Sequence, residues 1–156
     1  MTFILTLLAT GLALLAEGKY ILSIFQGKTK PSFSGWLIFT VSMSCVLVSA
    51  YALGARESLL LIATFTLLHA FVTILSLKYG IVRFSGIDVL LLISSAVGVL
   101  LWWQTSSPWY ALILNVLIDT FGYIALIKKL YDNPETEDVA AWAMSIGAYG
   151  LNLFLI

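Results

Sequence analysis

Six long apolar stretches, parted by breaks of a few residues, fill nearly the whole chain. They cover about 2–26, 33–53, 57–79, 86–104, 108–131 and 138–156. A helical bilayer crossing takes about 20 predominantly apolar residues. In hydrocarbon every backbone polar group needs an internal partner, which a helix supplies within its own segment. The pattern therefore predicts an all-α, polytopic membrane helix bundle of six transmembrane helices, with 1–156 forming a single transmembrane domain. The breaks carry turn chemistry: 27–31 (Gly27 to Pro31), Gly54, Gly80, Ser106-Ser107-Pro108 and the polar run 132–138. Such short connections imply that consecutive helices are antiparallel neighbours.

Composition closes off the alternatives. Of 156 residues, 61% are hydrophobic and 10% are charged, too few charges to clothe a soluble domain. The apolar content also excludes disorder. Eight Lys and Arg balance eight Asp and Glu, so no basic excess points to nucleic acid. Cys45 is the single cysteine, which excludes an intrachain disulfide or a paired-cysteine metal site and reads as a buried thiol. The stretch 2–16 lacks the preceding positive charge of a secretory signal. Its apolar pattern resumes at 20–25, so 2–26 reads as one retained helix.

Orientation follows from the cations. Lys28 and Lys30 lie in the first loop, Lys78 and Arg83 in the third, and Lys128 and Lys129 at the fifth; the opposite side holds Arg56. This bias places the odd loops in the cytoplasm and both termini outside. Trp102, Trp103, Trp109 and Tyr110 at the outer ends, and Trp36, Tyr79, Tyr131 and Trp142 at the inner ends, read as interfacial belts. Lys19 is read as snorkelling toward the cytoplasmic headgroups, and Asp88 as wet.

The first and fifth stretches share a pattern. Tyr20-Ile21 and Ile24 lead to Pro31 and then Trp36; Tyr123-Ile124 and Ile127 lead to Pro134 and then Trp142. Tyr and Pro are equally spaced in both copies, and the second copy has a longer loop after its proline. Both copies run from outside to inside, as in parallel repeats. This arrangement resembles the SWEET and PQ-loop transporter superfamily, and the stretch Lys30-Pro31-Ser32 to Trp36-Leu37-Ile38 is similar to small bacterial inner-membrane proteins of that type. The resemblance implies a first triple-helix bundle over 1–80, a linker helix over 86–104, and a second bundle over 107–156. That second bundle lacks a third helix, which another copy or a different subunit would supply. The family's Pro-Gln pair is replaced by Pro31-Ser32 and Pro134-Glu135.

Ionisable groups at membrane depth are costly and are therefore functional candidates. Asp119 lies nine residues before Lys128, about 13 Å along the helix and near the midplane. It shares a stripe with Ala111, Asn115 and Gly122. Glu17 lies at similar depth in the first helix, one residue from the exact repeat mate of Asp119, with Thr6, Thr10, Ala13 and Tyr20 on its face. His69 sits midway along the third stretch beside Thr66, Thr73 and Ser76. The resemblance implies a substrate-lining role at that depth; a hydrogen-bonded packing role stands beside it. For Glu17 and Asp119 the alternatives are a polar pocket and a structural tie. Asn152 reads as part of a helix-packing surface, as do Thr40, Ser44 and Cys45.

Motifs for chemistry are missing. One histidine excludes an HExxH zinc site and a bis-histidine haem within one chain, and there is no serine-hydrolase, Walker A or dinucleotide fingerprint. The reading is a non-enzyme without metal or cofactor. Its partners would be the bilayer, a small-molecule solute, and a second copy or another membrane subunit. The expected function is alternating-access transport of a small solute, with Glu17, His69, Asn115 and Asp119 binding it. Pro31 and Pro134 would shape the cytoplasmic gate by ending the first and fifth helices. The alternative is an accessory or scaffold subunit of a larger membrane complex.

Overall fold

A computed structural model of the chain describes residues 2–54, 59–105 and 108–153. Six α-helices appear where the apolar stretches place them: α1 (Thr2–Phe25), α2 (Phe33–Ala52), α3 (Leu59–Tyr79), α4 (Gly86–Gln104), α5 (Pro108–Asp132) and α6 (Val139–Leu153). A 3-10 turn, Pro134–Thr136, occupies what reads as loop in the sequence. There is no β-strand among the described residues, only an isolated bridge between Ser32 and Ile81. Among the described residues, four segments are long and apolar enough to cross a membrane: Leu7–Phe25, Phe33–Ala52, Leu61–Tyr79 and Gly86–Gln104. Arg56, Ser106 and Ser107 lie outside the described residues, as do the side chains of Thr6, Trp109, Ala111, Tyr149 and Asn152.

The contacts fall into two compact units, residues 1–30 with 135–156 and residues 31–134. In the first, α1 packs against α6. In the second, α2 packs against α3 and α5, and α4 lies on α5 and touches α2. The core of the second unit is built on Ile38, Leu91, Ile118 and Ala125. Outward faces are apolar too. Leu15 and Leu22 of α1, Leu67 and Ile74 of α3, and Leu90 and Leu100 of α4 are all exposed. Exposed leucine over face after face is what a lipid-facing surface presents.

Helix ends are set by local chemistry. Gly27, at φ 72°, closes α1: its N–H donates to Ile24 O at 2.9 Å, and the Lys28 N–H donates to Ser23 O at 3.0 Å. That pair of bonds is a Schellman motif, which needs a residue at positive φ. Thus α1 is ended by Gly27, and Pro31 follows six residues after the last helical residue. Pro134 does border its helix, because a residue preceding proline is pushed out of helical geometry; Asn133 is that residue. Ser32 caps α2 by accepting from the Gly35 N–H. Ser85 and Asp88 form a capping box on α4. Asp88 is consequently buried and bonded into the fold.

The 31–134 unit is closed at one end by a tight crossing. Pro31 is fully buried. Its carbonyl accepts from the Ile81 N–H at 2.8 Å, and the Phe33 N–H donates to Ile81 O at 3.1 Å. Gly80 makes this crossing possible, since a Cβ there would lie 2.2 Å from Pro31 O.

Candidate functional site

The candidate site lies within the 31–134 unit, where α2, α3 and α5 meet. Asp119 is half-buried on α5; its carboxylate faces the Ser42 hydroxyl of α2 and lies within electrostatic reach of His69 on α3. Asn115 is buried one helical turn from Asp119 on the same face. Ser42 lies nine residues from the start of α2 and His69 ten residues from the end of α3. Each is therefore about 13–15 Å from its helix end, close to half the thickness of a hydrocarbon core.

Aromatic rings enclose the histidine. The Trp36 ring meets His69 edge-on with centroids 5.3 Å apart, and Phe39 lies 6.3 Å away. Phe39 in turn packs on Tyr123 at 4.9 Å. Trp36 is thus a buried packing partner of His69, not a belt residue, with 3% of its surface exposed. Trp103 and Tyr131, at 81% and 90% exposed, do have the exposure of belt residues. The hydroxyl stripe beside His69 stitches α3 to α2. Thr73 shares a 2.8 Å hydrogen bond with Thr40, and Thr66 donates to Met43 O at 3.3 Å.

Two polar atoms of this region stand out. Among the described residues, the buried Ser42 Oγ and Asn115 Oδ1 close no hydrogen bond of ordinary geometry. Buried polar atoms nearly always have partners, so such atoms call for an explanation. Ser42 is absent from the sequence-derived candidates. Its signal is faint: Gly35, Phe39 and Ser42 follow steps of four and three, one face of α2.

The unit of 1–30 with 135–156 holds a separate polar cluster. Glu17 is buried on α1. Lys19 does not run free to headgroups: its Nζ donates to Asp138 Oδ2 at 2.6 Å. Asp138 also accepts from the Ala141 N–H and so caps α6. Burial pushes the Asp138 carboxyl up, but bonds from Lys19 and the Ala141 N–H, the Lys19 charge and Ser23 outweigh it and hold it below the usual range. Beside it Glu137 accepts from the Tyr20 hydroxyl at 3.1 Å and from Trp142 Nε1 at 2.8 Å. Asp138 and Glu137, which read as loop acids in the sequence, are thus tied to α1 and α6.

Each unit holds an edge-on tyrosine–ring pair of its own. Tyr20 packs edge-on against Trp142 with centroids 5.8 Å apart, as Tyr123 does against Phe39. In sequence, Phe39 and Trp142 each lie eight residues after a proline, and Tyr20 and Tyr123 each lie eleven before one.

No family model matches the chain, and comparisons with curated proteins and with solved structures yield no significant match.

Proposed function

We propose that this is an integral membrane protein of six spans that carries a small polar solute through a site at the bilayer midplane. The observation that carries this reading is the meeting of Ser42, His69 and Asp119 from three helices, with Asn115 a turn away and its buried Oδ1 closing no hydrogen bond among the described residues. A purely structural cluster has reason to satisfy its own atoms, because each unmet buried group costs about 1–3 kcal/mol. A solute with hydroxyl or amide groups would donate to Asn115 Oδ1 while bound. The flanking rings of Trp36, Phe39 and Tyr123 offer flat apolar faces beside the polar groups, a mixture suited to small organic solutes. The lysine and arginine bias supports a cytoplasmic side bearing Lys28, Lys78 and Lys128, with both termini outside.

The matching Tyr–ring contacts support a parallel repeat, and with it an architecture of the SWEET and PQ-loop kind in which two related halves rock about the site. Pro31 and Pro134 then stand at equivalent cytoplasmic positions. Pro31 would act through its locked crossing with Ile81, and Pro134 by ending its helix.

Uptake into proteoliposomes of labelled sugars, amino acids and other small metabolites tests the reading. The wild-type chain should accumulate one class. Asp119→Asn and Asn115→Ala should each lower that uptake about tenfold or more while the helical circular dichroism is unchanged. Full uptake in both variants would remove the site. Copurification with a stoichiometric foreign subunit, without uptake, would favour the accessory role.

A further inference from the structure

The starts of α2 and α4, the end of α5 and the α3–α4 connection surround a pocket of about 410 Å³. Its walls include Arg83, Lys128 and Lys129, with Ile81 and Phe84 supplying apolar surface. Asp88 and Asp132 also line it, so three cations face two carboxylates and one positive charge is in excess. Asp88 Oδ2 accepts from the Ser85 N–H and hydroxyl at 2.8 and 2.6 Å, and Oδ1 from Ser34 at 3.2 Å. Asp132 pairs with Lys128 at 3.4 Å. Arg83 makes no ion pair among the described residues. Lys129 is 6% exposed and lines the pocket.

We propose that this pocket binds a phosphate-bearing anion, either the headgroup of an anionic phospholipid or a soluble phosphate compound, through Arg83, Lys128 and Lys129. The guanidinium fork of Arg83 matches phosphate geometry, and the two ammonium groups add point charge. Basic pockets between membrane helices on the cytoplasmic side recognise anionic headgroups in this way. Ile81 and Phe84 would face the glycerol end of a lipid. The proposal is independent of the transport reading, because none of these residues belongs to the midplane cluster.

The test uses the full-length chain in a neutral detergent, with calorimetric titration of short-chain phosphatidylglycerol, short-chain phosphatidylcholine and inorganic phosphate. At least one anionic probe should bind saturably at one per chain. Arg83→Gln and Lys128→Gln, both at solvent-reachable positions, should each weaken it about fivefold with helicity retained. Phosphatidylglycerol binding that phosphate displaces poorly identifies a headgroup site; phosphate binding as tight as that of the lipid identifies a soluble ligand. Either supports the pocket. Absence of saturable binding by both anions, equal binding of phosphatidylcholine, or unchanged affinity in both variants would overturn it.

Discussion

Asp138 does two jobs at once, holding Lys19 at 2.6 Å and capping α6 through the Ala141 N–H. Its carboxyl is held below the usual range, so the sign of its pH effect is fixed. The stabilisation is present above the unfolded carboxylate value of about 3.9 and is lost as pH falls through the lower folded value. Lys19 is 42% exposed, so solvent screening limits the ion pair to about 1 kcal/mol or less; loss of the cap adds about 1 kcal/mol. Asp138→Ala should therefore lower the unfolding midpoint at neutral pH. It should also remove part of the acid destabilisation expected below about pH 4. Denaturant unfolding across that range checks both. Such residues show what is legible in a sequence and what is not. His69 and Asp119 stand out because an ionisable side chain inside an apolar run has no cheap excuse. Ser42 does not, since serine is common in membrane helices and its meaning comes from what α5 brings opposite it. Asp138 and the Ser85–Asp88 box could be read from sequence as caps before apolar runs; counting them as solvated acids hid that.

At the scale of elements, hydropathy located all six helices because in lipid a helix is the default answer to a long apolar run. It did not reveal how they close. The end of α1 is written by Gly27 at φ 72°, and the conspicuous Pro31 instead serves the crossing with Ile81. That crossing depends on Gly80. A methyl group there would lie 2.2 Å from Pro31 O and 2.6 Å from Ser76 O, both backbone atoms with little freedom to yield. Gly80→Ala should destabilise the protein by about 1–3 kcal/mol, the usual cost of overpacking, as read from its denaturant midpoint in detergent. Gly122→Ala would press on the buried Phe39 ring at 2.6 Å and should cost a similar amount. It would also disturb the ring stack beside His69, so its uptake should fall alongside its stability. Gly80→Ala should spare uptake wherever the protein remains folded.

At the scale of the whole molecule, the proposed function rests on water reaching a site among α2, α3 and α5. Among the described residues, four helices are long and apolar enough to cross a membrane, while α5 departs from them by carrying Asp119 in its middle and Lys128, Lys129 and Asp132 at its end. A helix with such a face needs polar company, which Ser42 and His69 provide. Thiol accessibility tests the central claim without knowledge of the solute. In a Cys45→Ala background, Asn115→Cys and Val116→Cys place single thiols on the cluster face and on the exposed apolar face of the same helix. A thiol reacts as its thiolate, which needs water around it. In native membranes, a water-soluble methanethiosulfonate reagent should modify the cysteine at position 115 and leave the one at 116 unmodified. A cysteine at 115 as inert as that at 116 would show a dry, structural cluster and contradict the account.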